Sequence, residues 1–383
     1  MGEKHMHQDY ERYINECQEE LLQLIRDLCA IPAPSHNEEA RAAFCLEWFR
    51  KNGFDGAYID EALNVVCPFR AETGDLAVFM AHTDTVFPDM ETMPMVEREG
   101  KIFCPGVTDD TANLAVMMIC ARYFIQQKLH SECGMLFVAN SCEEGLGNLK
   151  GSRRIVADYG SRIRELITLD GTNLRAVVTD AVGSHRYRVT VRTEGGHSFG
   201  DFGQPNAIHC LSTIVQTLYT IKLPVEGASK TTYNVGLISG GTSVNTIAQQ
   251  AEMLYEYRSD NLNCLRAMEN KFNQIIDRYR NIGYNIEVEL IGERPCAGGV
   301  NPAAQQALIQ RLDASIRKIT GQSAVFSSGS TDANTALAAG IPAACISACR
   351  GGKCHTREEW LDTDSLADGC RIFMDILSKY FSA

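Results

Sequence analysis

Acidic and histidine side chains follow four short apolar runs of the chain, at the point where each run ends. His82 and Asp84 follow residues 76–81, Glu143 and Glu144 follow 135–140, Asp170 follows 166–169, and His355 follows 343–347 through a glycine loop. Open α/β sheets place their sites at the carboxyl ends of their strands. Imidazole and carboxylate groups are also the nitrogen and oxygen ligands of zinc. The pattern therefore predicts that these groups converge on a metal centre.

The adjacent acids Glu143 and Glu144 are difficult to explain as structural residues. Two carboxylates at the end of a buried strand repel each other and raise each other's pKa unless a cation is close. A metal pair supplies that cation. One glutamate can then be a ligand while its neighbour takes a proton from a water molecule.

His82 by itself is a weak signal, because a histidine at a strand end is more often an ordinary hydrogen-bonded residue. The carboxylate of Asp84, two residues later, strengthens the metal interpretation. A metal-bound imidazole usually donates its other N–H to a carboxylate, which fixes the tautomer of the ring and raises its basicity. We expect Asp84 either to fill that role or to orient the backbone of the ligand loop.

Asp109 and Asp110 follow a Pro-Gly turn and precede a predicted helix. One interpretation is a helix N-cap, because aspartate accepts hydrogen bonds from the first free N–H groups of a helix. The other is a rigidly presented carboxylate that bridges two metal ions. A cap has little use for the second aspartate.

The elements around these residues indicate an α/β domain. Predicted helices at 10–28, 38–51 and 112–126 alternate with the apolar runs, which predict buried strands of a mostly parallel sheet with helices on both faces. Residues 182–292 instead follow the order strand, helix, strand, strand, helix, strand. This order predicts a ferredoxin-like α+β domain inserted into a catalytic domain formed by residues 1–181 and 293–383.

The composition is that of an ordinary globular protein, with 383 residues, 45% of them hydrophobic, and a net charge of −12. Such a charge repels phosphates, so we expect no nucleic acid and no membrane as partner. No apolar run approaches the ~20 residues needed to span a bilayer, and residues 1–5 do not resemble a secretory signal. Fifteen cysteines in a chain of this size indicate reduced thiols and a cytoplasmic location.

The densest group of these cysteines, Cys345, Cys349 and Cys354, allows a second interpretation as a redox or structural metal site. Thiolates bind zinc and iron–sulfur clusters. The paired two-residue spacings of structural zinc sites are missing, however. Buried thiols that pack as small apolar groups are the simpler explanation.

Taken together, the motifs resemble those of the dinuclear zinc exopeptidase and amidohydrolase family that includes peptidase T, carboxypeptidase G, aminoacylase and succinyl-diaminopimelate desuccinylase. The resemblance covers nearly the whole chain and favours the peptidase T-like branch. It rests on segments at 82–84, 106–110, 143–145, 169–171, 195–198, 240–245, 258–260, 329–332 and 355–360.

The resemblance implies a role for each metal-site residue. Asp109 would bridge two Zn²⁺ ions, for which Co²⁺ or Mn²⁺ are possible substitutes. His82 and Asp170 would complete one site, and Glu144 and His355 the other. Glu143, supported by Asp84, would be the general base for a metal-bridging hydroxide.

The resemblance also implies a homodimer, formed through the inserted lid domain. His197 would be the lid histidine that reaches the active site of the partner subunit. Arg258 and Asn245 would bind the carboxylate end of the substrate. A solvated or salt-bridged arginine is an equally good interpretation of Arg258, because it lies on an alternating strand.

The implied activity is cleavage of a peptide or amide bond in a small di- or tripeptide. An N-acyl amino acid deacylase is the first alternative, and a catalytically silent binding protein is the second. The intact general base favours an enzyme. Thr111 stands where many members have lysine, so the substrate preference of those members is not carried over to this chain.

Overall fold

The strand and helix segments of the sequence form two compact units in the computed structural model, which describes residues 3–127 and 130–382. The first unit contains the chain up to Ala181 together with the segment from Gly298 onward. The second unit is Val182–Ala297. The prediction that residues 1–5 do not form a secretory signal falls partly on Met1 and Gly2, which lie outside the described residues.

The helices alternate with strands through most of the first unit. The helices of the chain are α1 Glu3–Glu16, α2 Gln18–Cys29, α3 Glu39–Lys51, α4 Ala112–Gln126, α5 Lys150–Tyr159, α6 Ala207–Leu218, α7 Leu262–Asn281, α8 Pro302–Thr320, α9 Ala333–Ala338 and α10 Ser365–Ser378. An irregular turn, Val107–Thr111, leads directly into α4.

The strands vary from two to ten residues in length. They are β1 Tyr58–Ile59, β2 Val65–Phe69, β3 Leu76–His82, β4 Val96–Arg98, β5 Lys101–Phe103, β6 His130–Ser131, β7 Gly134–Asn140, β8 Ile163–Leu169, β9 Ala176–Ala181, β10 Gly183–Arg192, β11 Gly196–His197, β12 Thr231–Gly240, β13 Thr246–Ile247, β14 Gln250–Ser259, β15 Asn285–Arg294, β16 Val325–Gly329, β17 Ala343–Ile346, β18 Arg350–Gly352, β19 Trp360–Asp362 and β20 Phe381–Ser382.

An eight-stranded sheet in the order β1-β2-β7-β3-β8-β17-β9-β16 forms the centre of the first unit. The inner strand β3 runs parallel to both β7 and β8, and β17 runs parallel to β8. Every residue of β3 and β7 is buried, as expected for strands covered on both faces. The predicted α/β fold with a mostly parallel sheet is confirmed.

The parallel register carries the carboxyl ends of neighbouring strands to one edge. His82, the last residue of β3, lies opposite Asn140, the last residue of β7. Asp170 follows the last residue of β8. The side chains predicted to act together therefore start from the same edge of the sheet.

The second unit contains an antiparallel sheet in the order β12-β14-β10-β15, with the helices α6 and α7. Its core is apolar and includes Val189, Leu211, Met253 and Phe272, contributed by both strands and helices. The order strand, helix, strand, strand, helix, strand is that of a ferredoxin-like α+β sandwich. The predicted architecture of this segment is confirmed.

The helix predicted at 10–28 is in fact two helices, and the prediction of a single helix was wrong. Cys17 separates α1 from α2 with φ −93° and ψ 0°, whereas a helix has ψ near −42°. The N–H of Cys17 still donates to the carbonyl oxygen of Tyr13, and the N–H of Leu21 donates to that of Cys17. Because the hydrogen bonds continue on both sides, the apolar spacing shows no break.

Two further observations concern both units. Within the described residues, no helix is both long and apolar enough to cross a membrane. All fifteen cysteines are free thiols, and all but Cys133 and Cys354 are buried.

Candidate metal centre

Asp109 lies at the centre of the group of side chains that the sequence singled out. Its Oδ1 atom is 3.1 Å from Nε2 of His82, and its Oδ2 atom is 3.0 Å from Nε2 of His355. The same nitrogen of His355 is 3.1 Å from Oε1 of Glu144. The two oxygen atoms of one carboxylate therefore face two different histidines.

All six predicted metal-site and base residues meet in this part of the first unit. Their donor atoms form three groups in which every atom lies within 4.8 Å of the others: His82, Asp109 and Asp170; Asp109, Glu144 and His355; and His82, Glu143 and Glu144. The first two groups share Asp109. They are separate sets of three ligands joined by one carboxylate.

These residues fit a pair of divalent cations. Two imidazoles and several carboxylates are the donors that zinc takes in catalytic sites. Oε1 of Glu144 is buried, and Nε2 of His355 lies 3.1 Å from it. Buried carboxylates are costly unless they are paired with cations or ligate a metal. A cation between the ligands removes that cost.

The close packing of these ionisable groups shifts the pKa values of several of them. Burial raises the pKa of Asp170 to about 7, and the charge of Asp109 adds to the rise. Hydrogen bonds to Asp109 and Glu144 raise the pKa of His355 to about 11. Burial tends to lower the pKa of His82, but nearby aspartates raise it well above its ordinary value. These shifts favour the charged forms of both histidines beside the carboxylates.

Asp84 lies between the ring of His82 and the backbone of the segment that carries Glu143 and Glu144. Its Oδ1 accepts a hydrogen bond from the backbone N–H of Glu143 at 2.9 Å, and its Oδ2 accepts one from that of Glu144 at 2.9 Å and from Oγ of Ser35 at 2.6 Å. The Nδ1 atom of His82 lies 3.3 Å from Oδ1 of Asp84 and 3.0 Å from its carbonyl oxygen. Asp84 thus connects the histidine to the two glutamates.

The capping interpretation of Asp109 and Asp110 is wrong. The residue that precedes α4 is Thr111, and no side chain in the described part of the chain caps this helix. Both aspartates have non-helical backbone angles, and the peptide bond between them is cis. Oδ2 of Asp110 instead accepts a hydrogen bond from the backbone N–H of His82 at 3.0 Å. One aspartate faces the histidine ring, and the next holds the histidine backbone.

Glu359 is a positioning residue that the sequence reasoning missed. Its buried carboxylate accepts hydrogen bonds from the N–H of Gly106 at 2.8 Å, the N–H and hydroxyl of Thr108 at 2.8 and 2.6 Å, and the N–H of Asp109 at 3.0 Å. It therefore holds the whole turn that presents Asp109. The one available signal was its place four residues after His355 in a motif already singled out.

The remaining predicted site residues lie in the second unit. His197 pairs with Thr246 across β11 and β13, and the N–H of Ser198 donates to the carbonyl oxygen of Asn245 at 3.0 Å. The loops that carry His197 and Asn245 are therefore adjacent. Arg258 forms a two-pronged contact with Glu256, with Nε 2.9 Å from Oε1 and Nη2 3.1 Å from Oε2. The salt-bridged interpretation describes Arg258 in this structure.

Cys345 and Cys349 pack against the backbone of Asp170 and Gly171. The thiol of Cys345 is 3.6 Å from the carbonyl oxygen of Asp170, and that of Cys349 is 3.6 Å from the carbonyl oxygen of Gly171. Among the described residues, none of the groups able to hold a metal includes a cysteine. The packing of buried thiols accounts for both Cys345 and Cys349.

Comparison with known proteins places the chain in a family. Residues 78–379 match Peptidase family M20/M25/M40. A succinyl-diaminopimelate desuccinylase of Burkholderia mallei is 26% identical over 267 residues, which cover 65% of this chain and 68% of the relative.

Two solved structures share the fold at low sequence identity. A tripeptidase from Staphylococcus aureus has a TM-score of 0.77 at 21% identity, over 95% of this chain and 98% of the other. The aminopeptidase PepT from Bacillus cereus has a TM-score of 0.72 at 19% identity, with the same coverage of both chains.

The predicted family resemblance is confirmed by a match that includes the strand ends, the Asp109 turn and His355. This chain belongs to Peptidase family M20/M25/M40 and is a hydrolase.

Proposed function

We propose that this chain is a metal-dependent exopeptidase that cleaves the peptide bond of a small di- or tripeptide. The observation that carries the proposal is the position of Asp109, whose two oxygen atoms each face a different histidine at about 3 Å. A single carboxylate shared between two ligand sets is suited to holding two neighbouring metal ions.

The ligand sets are those defined by the geometry. His82, Asp109 and Asp170 would hold one Zn²⁺, and Asp109, Glu144 and His355 the other, with Co²⁺ or Mn²⁺ as possible substitutes. When bound, such a metal pair supplies Lewis acidity toward a carbonyl oxygen and makes a water molecule more acidic. Asp84, Asp110 and Glu359 would keep the ligands in place.

Glu143 would move the proton during the reaction. It takes a proton from the attacking water, whose oxygen bonds to the scissile carbonyl carbon. It then gives that proton to the leaving nitrogen as the carbon–nitrogen bond breaks, so the products are a carboxylic acid and an amine. Glu143 is buried beside Glu144, and the hydrogen bond from its N–H to Asp84 holds its backbone in place.

The second unit would bind the rest of the substrate. We assign His197 the task of stabilising the negative charge that develops on the carbonyl oxygen, supplied from a second copy of the chain in a homodimer formed through this unit. Arg258 and Asn245 would bind the substrate carboxylate, a task for which a planar guanidinium is suited. Arg258 would then leave its ion pair with Glu256 and form one with the substrate carboxylate.

Deacylation of an N-acyl amino acid is the second candidate function. It is favoured by the similarity to a succinyl-diaminopimelate desuccinylase. Both reactions break an amide bond and use the same base. We place either activity in the cytoplasm, because fifteen free thiols suit a reducing compartment.

The test compares wild type, Glu143→Gln and Glu91→Gln after zinc loading. Glu91 is the control, because its side chain is exposed and belongs to none of the ligand groups. The substrates are dipeptides, tripeptides, N-acetyl amino acids and N-succinyl amino acids. We expect wild type and Glu91→Gln to hydrolyse at least one class. Glu143→Gln should keep its metal content and lose about 10²- to 10⁴-fold in kcat, because only the proton transfer is removed.

Three results separate the candidates. Peptide hydrolysis without deacylation supports the exopeptidase, and the reverse supports the deacylase. Retained metal with no hydrolysis of any substrate by wild type would overturn both and leave the binding protein. Full activity in Glu143→Gln would remove Glu143 from the mechanism.

A further inference from the structure

A pocket of about 230 Å³ lies in the first unit next to Glu144, and the proposed reaction leaves it unexplained. It is formed by three segments: residues 34–36, residues 85–88 after β3, and residues 144–147 after β7. Drug-sized ligands occupy pockets of about 300–1,000 Å³. This volume is therefore suited to one side chain of a substrate rather than to a whole substrate.

The pocket has mainly apolar walls. Pro34, Val86, Phe87, Pro88 and Leu146 all line it. Phe87 is 7% exposed, whereas Val86 is 38% and Leu146 is 48% exposed. The partly exposed Val86 and Leu146 are thus available to a ligand, while the buried Phe87 forms a firm inner surface.

The charges close to this pocket are already paired. The guanidinium of Arg357 lies 4.7 Å from the ring centre of Phe87, and its Nη2 atom is 2.6 Å from Oδ2 of Asp89. Of the described residues that line the pocket, Glu144 and His36 are the ionisable ones. Glu144 faces His355 in the metal centre. A charged ligand side chain would therefore lose hydration without gaining a dedicated partner.

Hydrogen bonds and close contacts also fix residues 34–36 of the pocket against the segment that carries Glu143 and Glu144. Oγ of Ser35 donates to Oδ2 of Asp84 at 2.6 Å and is 3.3 Å from the carbonyl oxygen of Glu144. Nδ1 of His36 lies 3.5 Å from the thiol of Cys142, and Nε2 of His36 lies 3.3 Å from the carbonyl oxygen of Leu146. These contacts join residues 34–36 to the segment that carries both glutamates.

We propose that this pocket is the subsite for the side chain of the residue that supplies the scissile carbonyl, and that it selects large apolar side chains such as those of leucine, methionine and phenylalanine. The inference rests on the proposed function, in which the carbonyl lies at the metal centre and Arg258 takes the opposite, carboxylate end. A side chain attached next to the carbonyl is the part of the substrate that can reach a pocket bordered by Glu144.

The experiment measures binding separately from hydrolysis. Amino acid hydroxamates carry the side chain of the carbonyl-side residue and ligate metals through their own oxygen atoms. We would titrate the zinc-loaded full chain with leucine, glycine and aspartate hydroxamates in a calorimeter. We expect leucine hydroxamate to bind at least about tenfold more tightly than glycine hydroxamate, and aspartate hydroxamate to bind no more tightly than glycine hydroxamate.

Two variants fill the pocket from its accessible side. In Val86→Trp and Leu146→Trp, the indole occupies the space intended for the substrate, so the leucine-to-glycine ratio of affinities should fall toward one. Val325→Trp is the matched control, because Val325 is 49% exposed on the edge strand β16, which β8, β17 and β9 separate from β3, and it does not line the pocket. The leucine-to-glycine ratio of affinities in Val325→Trp should equal that of wild type. Zinc content and circular dichroism establish that each variant is folded and loaded.

A parallel assay with X-Ala and Ala-X dipeptides distinguishes this inference from the proposed function. A leucine preference in hydroxamate binding that both filling variants remove supports the pocket, whether or not any dipeptide is cleaved. Equal binding of the three hydroxamates overturns it, even if dipeptides are hydrolysed. A preference that survives in both filling variants also overturns it, because the selectivity then arises elsewhere.

Discussion

The carboxylate of Glu359 accepts a hydrogen bond from the backbone N–H of Asp109 at 3.0 Å, across 250 positions of the sequence. The same carboxylate accepts from Gly106 and Thr108, so all of its donors within residues 3–127 and 130–382 belong to one turn. The turn presents the carboxylate that both histidines face. Glu359 therefore acts on the metal centre without belonging to a ligand group.

Replacing Glu359 by glutamine should weaken metal binding. An amide has one acceptor oxygen, and its NH₂ group would face backbone N–H donors, so the turn loses part of its support. Residues that orient metal ligands typically account for about 10- to 100-fold in affinity. We expect a loss of that size for zinc, measured by competition with a chromophoric chelator.

Glu358→Gln is the matched control for this substitution. Glu358 is the preceding residue, its side chain is 72% exposed, and it pairs with Lys353. Its zinc affinity should equal that of wild type. If Glu359→Gln also binds zinc as tightly as wild type, Glu359 does not position Asp109.

Replacing Asp84 by asparagine should reduce both metal affinity and turnover. Asp84 is completely buried and accepts from the N–H groups of Glu143 and Glu144, so the substitution places an NH₂ group against a donor. We expect about a tenfold or larger loss of zinc affinity and a lower kcat for whichever amide is cleaved.

Ser35→Ala removes one hydroxyl donor to Asp84 and leaves both backbone contacts in place. Its effect on zinc affinity and kcat should be smaller than that of Asp84→Asn. An equal or larger effect would mean that the hydrogen bond from Ser35 to Asp84, rather than the bonds from the N–H groups of Glu143 and Glu144, positions these two glutamates.

Metal binding should release protons. In the metal-free protein, hydrogen bonds to Asp109 and Glu144 raise the pKa of His355 from 6.5 to about 11. This stabilising charge is fully present below pH 6.5 and is lost as the pH rises toward 11. A metal binds the neutral imidazole, so zinc must displace the proton and its affinity should increase with pH in this range.

Calorimetry in two buffers with different ionisation enthalpies measures the number of protons released per zinc ion at pH 7.5. His355→Ala should release fewer protons than wild type because one of the protonated rings is removed. An apparent binding enthalpy that is the same in both buffers would contradict the prediction.

Asp375 is expected to stabilise the first unit independently of the metal centre. Its buried carboxylate accepts from Nζ of Lys318 at 2.6 Å and Oγ of Ser315 at 2.7 Å. Burial tends to raise the pKa of Asp375, but these hydrogen bonds and the charge of Lys379 hold it below its ordinary value. The stabilisation is therefore present above about pH 4 and is lost as the pH falls through the folded-state pKa.

Asp375→Asn should lower the free energy of unfolding by about 2 kcal/mol at pH 7, the usual size for hydrogen bonds to a charged group. Urea denaturation at several pH values should show this difference narrowing below about pH 4. Asp368→Asn, in which a more exposed carboxylate paired with Arg371 is changed, should stay within about 0.5 kcal/mol of wild type. A constant difference at all pH values would exclude the ionised carboxylate as its cause.

Local patterns were sufficient to predict the elements that carry the ligands. The bounds of α4, Ala112–Gln126, agree with the predicted helix, because its apolar residues recur with helical spacing up to its end. His82 and Asp170 were found from the ends of continuous apolar runs, which is how strands buried on both faces appear in a sequence. The break at Cys17 was missed, because the apolar spacing passes through it.

Contacts between distant segments were not predictable in the same way. The residues of the sequence establish the chemistry available here: imidazoles and carboxylates at strand ends, an acidic pair, and a mostly parallel sheet to bring them together. The folded chain settles which oxygen faces which histidine, that Asp110 holds the backbone of His82, that Glu359 grips the Asp109 turn, and that Arg258 pairs with Glu256. The reason is physical: periodicity reports which face of an element is buried, whereas a hydrogen bond depends on where two remote backbones come to lie within 3 Å of each other.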